Sequence, residues 1–306
     1  MICYYHGGCP DGWAAAYIVK KKYPDAQLIP LSYGAVDIER MIEESKNQSV
    51  IMVDFSLKTQ EQHNRLAASA NNLFVLDHHK TAKEVLNGVH NAVFDMNRSG
   101  AGLAWDYLFG KDSGWPFEDP DSKRPWWVDY TEDQDLWRFN LPNSREINGW
   151  LNIQERTVEN WDLLLNVRKI TPQFAQLQGE AIQQFTEYMV KAALKDLQEG
   201  VWLFDGRNHK VGIVNNGHIG TSEVGEAVYS AGYDIALMWR EDGRGLIRFG
   251  LRSTTVDVGK LASSFPGGGG HKNSSGFEMS IGAGRALLDE LLGRMIDSDE
   301  FIPEKL

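Results

Sequence analysis

The chain has 306 residues, of which 42% are hydrophobic and 24% are charged, and its formal net charge is -11. This composition is ordinary for a folded protein of about two domains, and it excludes disordered, coiled-coil and collagen-like architectures. The acidic balance also disfavours a protein that coats nucleic acid through a broad basic face. It leaves room for a small anionic substrate held by metal ions and a few arginines.

The sequence gives no indication of a membrane protein or a disulfide-rich one. No stretch approaches the roughly 18 consecutive apolar residues that a membrane span needs. The N-terminal MICYYHGGCPDG lacks the basic start of a secretory signal. Cys3 and Cys9 are the only cysteines, so no disulfide framework is expected. We therefore predict a cytoplasmic protein that has no membrane partner.

The first half of the chain alternates strand and helix patterns. Short apolar runs rich in β-forming residues predict strands at 1–5, 26–31, 50–54 and 72–76. Helix-like segments separate these runs at 11–23, 36–46 and 58–70. Such alternation predicts right-handed βαβ units and a mainly parallel sheet flanked by helices. Ligands of such sheets gather at the carboxyl ends of the strands, where His6, Asp54 and Asp77 fall.

The second half predicts a connecting helix and a smaller α/β domain. Residues 111–127 are rich in Pro and Asp and read as a surface loop. A long helix is predicted at 172–199, with Thr171 as its N-cap and Gly200 as its end. Beyond it, strands are predicted near 201–204, 210–215, 234–239 and 245–251, and helices near 220–231 and 283–296. The predicted organisation is a domain at 1–170, a linker helix at 171–200 and an α/β domain at 201–306.

Three polar clusters follow predicted strands. They are His6 with Cys9 and Asp11, then Asp54-Phe55-Ser56, then Asp77-His78-His79. A single aspartate after a strand is usually a helix cap or a turn residue. Three clusters at equivalent strand ends are harder to assign to capping, and Asp and His are ligands that Mn²⁺ and similar ions accept. Two such ions about 3.5–4 Å apart can clamp the attacking and leaving oxygens of a phosphoryl displacement.

The ordered motifs resemble those of the DHH phosphoesterase superfamily. Leu76-Asp77-His78-His79 resembles the namesake motif, and His6…Asp11-Gly12, Asp54-Phe55-Ser56 and Tyr130…Trp137 resemble the first, second and fourth motifs. Near the C-terminal end, the run Gly267–His271 followed by Ser275-Gly276-Phe277 resembles the signature of the substrate-binding domain associated with this family. The resemblance covers nearly the whole chain.

The resemblance implies a role for each matching residue. Two metal ions, expected to be Mn²⁺ with Mg²⁺ or other divalent ions as alternatives, would be bound by His6, Asp11, Asp54, His78 and one of Asp133 and Asp135. Asp54 would bridge the ions and act in catalysis together with His78 and His79. Asp77 would be a supporting residue that fixes the tautomer of a histidine beside the ions. Of the two later aspartates we favour Asp133, because the family's aspartate falls at a strand end to which Asp133 lies closer. The other would then be a cap or a supporting residue.

The first motif departs from the family pattern, in which two aspartates alternate as Asp-x-Asp. Asp11 aligns with the second aspartate, so Cys9 takes the place of the first. Cys9 is either a small residue in a tight turn, or a thiolate ligand that shifts the metal preference toward Zn²⁺ or Fe²⁺. We favour the turn residue, because phosphoryl chemistry on hard ions usually uses oxygen ligands.

The C-terminal motifs predict substrate contacts. Consecutive glycines let backbone amides approach an anion, although a glycine run alone would indicate only a flexible turn. Arg252-Ser253 resembles the family's phosphate-binding pair, and a guanidinium fork suits a phosphate. The predicted substrate-binding residues are Arg252, Ser253, Gly268, Gly269, Gly270 and His271.

Together these features predict a metal-dependent phosphoesterase. Its substrates would be short oligonucleotides or nucleotides, whose phosphodiester bonds it would hydrolyse to give monophosphates. Three other activities are alternatives: a 3′,5′-bisphosphate nucleotide phosphatase, a cyclic-dinucleotide phosphodiesterase and a polyphosphatase. A catalytically weakened nucleotide-binding module is an alternative of another class, and the departure at Cys9 supports it.

Overall fold

The computed structural model describes residues 1–32, 36–89, 91–110, 124–166, 170–217 and 220–294. The chain forms two compact units, Met1–Gln184 and Phe185–Leu306. Each unit combines a sheet with helices, so the predicted α/β class is confirmed. The functional division of the chain at 170 and 200 stays a prediction.

Strands and helices alternate through the first part of the first unit. The strands are β1 (Ile2–His6), β2 (Gln27–Leu31), β3 (Ser49–Val53), β4 (Asn72–Asp77) and β5 (Ala92–Phe94). The helices are α1 (Pro10–Lys22), α2 (Ile38–Glu44), α3 (Gln60–Ser69), α4 (Ala82–Val85), α5 (Gly100–Phe109), α6 (Trp126–Asp135), α7 (Ser144–Asn152), α8 (Val158–Asn166) and α9 (Pro172–Ala193), which continues into the second unit. The strands and helices predicted for residues 1–76 all form, with ends shifted by a few residues.

The first sheet sets the position of the polar clusters. Its strands are all parallel and lie in the order β2-β1-β3-β4-β5. The chain moves outward from β1 to β2 and then returns to the other side of β1 with β3, so the strand order reverses between β1 and β3. Ligands of open α/β sheets bind at the carboxyl ends of the strands beside such a reversal. The register pairs Tyr5 with Val53, and Val53 with Leu76, which places the residues after these strands in one row.

Both faces of this sheet are covered, as an all-parallel sheet requires. One face packs under α1, α5 and α6, where Tyr17 and Trp127 are almost fully buried. The other face packs against α3 around Met52, Phe55 and Leu66. Burying a large apolar side chain contributes about 1.5–3 kcal/mol, so the strand ends that carry the polar residues rest on a rigid core.

The second unit is built on a mixed sheet. Its strands are β6 (Gln198–Phe204), β7 (Arg207–Asn215), β8 (Ile235–Glu241), β9 (Leu246–Arg252), β10 (Gly269–Gly270) and β11 (Ser274–Ser280). They lie in the order β10-β11-β9-β8-β7-β6, and β7 and β8 are parallel whereas the other neighbours are antiparallel. The helices are α10 (Thr221–Ser230), α11 (Val258–Ser263) and α12 (Ile281–Leu291).

Three predicted boundaries need correction. The long helix ends at Ala193 rather than near 199, and Gly200 lies inside β6, where a Cβ atom would come within 2.6 Å of the Leu291 carbonyl oxygen. The predicted loop at 111–127 lies partly outside the described residues, and its last two residues already belong to α6. The glycine run is not wholly a loop, because Gly269–Gly270 pair with β11.

Among the described residues, no helix combines the length and apolar character needed to cross a membrane.

Candidate metal centre

Asp54 lies at the centre of the polar row. It follows β3 directly, and its amide donates to the Leu76 carbonyl oxygen at 2.9 Å. Its φ is +53°, a left-handed conformation that Asp tolerates better than most residues. The carboxylate lies between two histidines: Oδ2 is 3.5 Å from His6 Nδ1, and Oδ1 is 3.0 Å from His78 Nε2. Strain of this kind concentrates at functional sites.

Three groups of possible metal ligands include this carboxylate. In one of them the partners of Asp54 are Asp77 and His79, which also bind each other. The other two are a first group of His6, Cys9 and Asp54 and a second group of Asp11, Asp54 and His78. Within each group the donor atoms lie within 4.8 Å of one another. The structure therefore brings together residues that follow β1, β3 and β4.

Asp11 is held by the start of another helix. Its two carboxylate oxygens accept hydrogen bonds from the backbone amides of Gly100, at 2.6 Å, and Ala101, at 3.0 Å. These amides belong to the first turn of α5, whose positive dipole end also favours an anion. A Cβ atom on Gly100 would lie 2.5 Å from the Asp54 Cβ and 2.8 Å from Asp11 Oδ2. Gly100 is thus a site residue that the motifs did not indicate.

Asp77 orients the ring of His79 through hydrogen bonds. Its Oδ1 accepts from His79 Nδ1 at 2.7 Å and from the backbone amide of His78 at 2.7 Å, while its other oxygen accepts from the Ser56 hydroxyl. Burial alone would lower the pKa of His79, but the Asp77 carboxylate outweighs it and raises that pKa. These contacts fix the His79 ring so that Nε2 is the nitrogen turned away from Asp77, which agrees with a supporting role for Asp77.

The choice between the two later aspartates is the reverse of the one favoured from sequence. Both lie on α6 rather than at a strand end. Asp135 Oδ2 is 3.6 Å from His78 Nε2, and the Asp135 side chain is 21% exposed. Asp133 instead accepts hydrogen bonds from the backbone amides of Asn140, at 2.9 Å, and Leu141, at 3.2 Å. Both of its oxygens therefore stabilise the turn after α6. The geometry favours Asp135 as the ligand because Asp135 lies beside His78.

The centre carries more negative charge than its own histidines can balance. Burial, together with Asp135 and Asp54, raises the pKa of Asp11 well above its ordinary value. Burial also raises the pKa of Asp135. For Asp54, burial is outweighed by hydrogen bonds with His6 and His78, which hold its pKa well below the ordinary value. Buried carboxylates that repel one another are suited to a divalent cation, and the mixed Asp and His donors match Mn²⁺, Zn²⁺ or a similar ion.

A second layer of residues, missed from the sequence, connects α6 to α5. The buried Glu132 accepts hydrogen bonds from the Ser99 amide at 3.1 Å, from Arg98 Nε at 3.0 Å and from Arg124 Nη2 at 3.0 Å. Ser99 caps α5, whose first turn holds Asp11. Glu132 therefore fixes the helix that carries Asp135 against the turn that orients Asp11. Backbone amides and ion pairs of this type leave no recognisable sequence motif.

A buried histidine supports the turn after β3. His63 is 1% exposed, and its Nε2 accepts from the Leu57 amide at 3.1 Å. Burial lowers the pKa of His63 to about 4, so the ring is neutral at neutral pH. His63 is a structural residue of α3 that holds the segment following Asp54 and Ser56.

The predicted substrate residues of the second unit have different local roles. The Arg252 guanidinium donates to the Leu251 carbonyl oxygen at 2.9 Å and to Ser222 Oγ at 3.1 Å, and burial lowers its pKa to about 10. The Ser253 hydroxyl donates to the Asp234 carbonyl oxygen at 2.6 Å and accepts from two backbone amides. The geometry thus favours a turn-forming role for Ser253, while Arg252 remains a candidate for phosphate binding.

The glycine motif is explained in part by packing. A Cβ atom on Gly268 would lie 2.1 Å from the Ala262 carbonyl oxygen, and one on Gly270, whose φ is +138°, would lie 2.6 Å from the Ser274 carbonyl oxygen. Gly269 has φ +159° and pairs with Gly276. The His271 amide donates to the Ser274 carbonyl oxygen at 2.7 Å. The predicted contacts of Gly268, Gly269, Gly270 and His271 with substrate stay predictions.

Comparisons with known proteins show the fold. No family model matches the chain. The chain is 28% identical over 308 residues to the uncharacterized protein R106 of Acanthamoeba polyphaga mimivirus, a match that covers 91% of this chain and 67% of the viral protein. Among solved structures, the pGpG-specific phosphodiesterase PggH from Vibrio cholerae has a TM-score of 0.52 and 14% identity, over 96% of this chain and 97% of that protein. The chain therefore shares its overall fold with a solved phosphodiesterase.

Proposed function

We propose that this protein is a metal-dependent phosphoesterase that hydrolyses short phosphodiesters to monophosphates. The observation that carries the proposal is the position of Asp54, whose Oδ2 lies beside the half-buried His6 and Cys9 and whose Oδ1 lies beside the buried His78. A carboxylate shared in this way would suit a pair of divalent ions. Metal pairs of this type lower the pKa of a bound water and neutralise charge on a phosphoryl group.

The protein's own residues have separable tasks in this proposal. Asp11, Asp54, His78 and Asp135 would hold one ion, and His6 and Asp54 would hold the other. His79 is oriented by Asp77, and the same carboxylate raises its pKa. His79 is therefore suited to donate a hydrogen bond from Nε2 to a phosphate oxygen. The Arg252 guanidinium is the proposed phosphate contact of the second unit.

A short substrate is favoured over a long nucleic acid. The net charge of -11 would repel a long polyanion, whose binding depends on many basic contacts. PggH is named for pGpG, a linear dinucleotide, and its shared fold supports a substrate of this size by analogy alone. We therefore propose a linear dinucleotide that carries a 5′-phosphate, whose hydrolysis by one water gives two monophosphates, as the first substrate to test.

The test is a substrate panel assayed with Mn²⁺ alone and with Mn²⁺ and Zn²⁺ together. Linear dinucleotides, cyclic dinucleotides, 3′,5′-bisphosphate nucleotides and polyphosphate are each incubated with the full chain, and products are separated by chromatography. Asp54→Asn is the inactive control, because Asn also tolerates the left-handed conformation found at this position. Asp205→Asn, at an exposed Asp that pairs with Lys260, is the matched control and should keep full activity.

The rival class is a nucleotide-binding module without turnover. It is favoured by Cys9, which stands where the resembled motif has a carboxylate. Calorimetry with Mn²⁺ and each panel nucleotide separates the two. Binding without any product from the whole panel would reject the phosphoesterase, and product formation that Asp54→Asn abolishes would reject the binding module.

A further inference from the structure

The first group of donors, formed by His6, Cys9 and Asp54, contains a sulfur atom close enough to the other two donors to bind the same ion. Cys9 Sγ is 3.2 Å from His6 Nδ1 and 3.2 Å from Asp54 Oδ2, and the latter two atoms are 3.5 Å apart. Bonds of about 2.3 Å to sulfur and about 2.0–2.2 Å to nitrogen and oxygen, at tetrahedral angles, separate ligand atoms by about 3.4–3.6 Å. The distance between His6 and Asp54 matches this spacing, and the two distances to sulfur are hydrogen-bond lengths about 0.3 Å shorter than it. A small outward shift of the sulfur would place the three atoms around one Zn²⁺ ion.

Capping of α1 does not account for this cysteine. Cys9 is the N-cap residue, and its Sγ accepts from the Gly12 amide at 3.3 Å. Ser, Thr, Asp and Asn perform this task better than other residues, and a serine would fit the same space. Cys9 is a free thiol, as is Cys3, which is buried in β1. The sulfur therefore calls for an explanation other than the cap or a disulfide.

The two groups of donors differ in chemical softness. The group around His6 and Cys9 offers nitrogen, sulfur and one oxygen. The group around Asp11 and His78 offers oxygens from Asp11 and Asp54 and one imidazole nitrogen, with Asp135 3.6 Å from that nitrogen. Thiolate ligands select Zn²⁺ and other thiophilic ions, whereas oxygen-rich sites suit Mn²⁺ and Mg²⁺. The same pocket therefore presents two positions of different preference on either side of Asp54.

We propose that Cys9 is a metal ligand, and that with His6 and Asp54 it makes the first position selective for a thiophilic ion such as Zn²⁺. The second position keeps a harder ion such as Mn²⁺. This reverses the preference for a turn residue drawn from the sequence. The His6 side chain is 23% exposed, so an ion can reach the first position from solvent. The inference rests on the metal centre of the proposed function but not on turnover.

The experiment uses Co²⁺ as a spectroscopic probe in the chelator-treated full chain. A thiolate ligand produces a sulfur-to-cobalt charge-transfer band in the near ultraviolet. We expect this band in the wild type and in Cys3→Ala, and we expect Cys9→Ser, which keeps the cap, to lack it. Circular dichroism confirms that each variant is folded.

Metal competition provides the second readout. Loss of a supporting residue typically costs 10- to 100-fold in metal affinity, so loss of the ligand itself in Cys9→Ser should lower Zn²⁺ affinity by at least about tenfold. Affinity for one Mn²⁺ should be unchanged, and Cys9→Asp should bind a second Mn²⁺ instead of Zn²⁺. Wild-type protein that binds Co²⁺ without the band, or Cys9→Ser with undiminished Zn²⁺ affinity, would overturn the inference.

The outcomes separate this inference from the proposed function. A band without hydrolysis of any panel substrate keeps Cys9 as a ligand and rejects the phosphoesterase. Hydrolysis of a panel substrate without the band keeps the phosphoesterase and rejects Cys9 as a ligand.

Discussion

Asp133 and Asp135 provide a matched pair of substitutions, because they lie two residues apart on α6 and have different partners. Asp133→Asn keeps one acceptor oxygen but turns an amide NH₂ toward a backbone N–H, either of Asn140 or of Leu141. A buried donor left without a partner costs about 1–3 kcal/mol. For a unit of this size, each kcal/mol lowers the melting temperature by about 2–4 °C. We expect Asp133→Asn to melt earlier and to bind metal normally.

Asp135→Asn should have the opposite signature. It removes a charge whose burial outweighs its attraction to His78, as the raised pKa of Asp135 indicates, so the metal-free protein should be no less stable than the wild type. Loss of a ligand oxygen should lower Mn²⁺ affinity by about tenfold or more.

The assay is thermal unfolding in the presence of a chelator, together with Mn²⁺ quantified after equilibrium dialysis. The assignment of the two aspartates would be refuted if Asp133→Asn lost Mn²⁺ while Asp135→Asn retained it.

Three further predictions test the surroundings of the centre. Gly100→Ala should weaken Mn²⁺ binding and destabilise the first unit, because its Cβ atom would clash with Asp54 and Asp11; unchanged dialysis and melting results would contradict this. The pKa of His63 is lowered to about 4 in the folded state, below its unfolded value of about 6.5. Between these two values the unfolded chain takes up a proton that the folded chain does not, so the free energy of unfolding is highest above pH 6.5 and falls as the pH is lowered toward 4. By linkage the loss is about 2 kcal/mol at pH 5, and urea titrations of wild type and His63→Gln at pH 7.5 and pH 5 should show a weaker pH dependence in the variant. Glu132→Gln should lower the free energy of unfolding by about 1–3 kcal/mol and reduce Mn²⁺ affinity, and dialysis showing full affinity would count against its positioning role.

Local patterns made much of the first unit predictable. Its early strands are short apolar runs, and their alternation with helices fixes a parallel sheet whose carboxyl ends carry His6, Asp54 and Asp77. The row of polar residues follows from that arrangement because the strand register is set by burial of both faces of the sheet.

The parts that the sequence left open depend on helix orientation and backbone contacts. Residues two positions apart on a helix point about 200° apart around its axis, so the rotation of α6 decides whether Asp133 or Asp135 meets His78. That rotation is set by tertiary packing and the Glu132 contacts, neither of which has a sequence motif. Gly100 was missed for a similar reason, since its amide rather than a side chain holds Asp11. Gly200 was misread because a glycine that ends a helix and one that admits a neighbouring backbone look alike in sequence.

The candidate ligands come from segments far apart in the chain, from the end of β1 to the end of α6. A cation bound by them would close several long loops at once and act as a non-covalent cross-link within the first unit. The unfolded chain cannot offer this set of donors, so a ligand at a concentration of 100 times its dissociation constant would stabilise the native state by about 2.7 kcal/mol. The unfolding midpoint of the protein should therefore rise with the concentration of free metal, and thermal melts across a metal series would rank ions at this centre before any substrate is known.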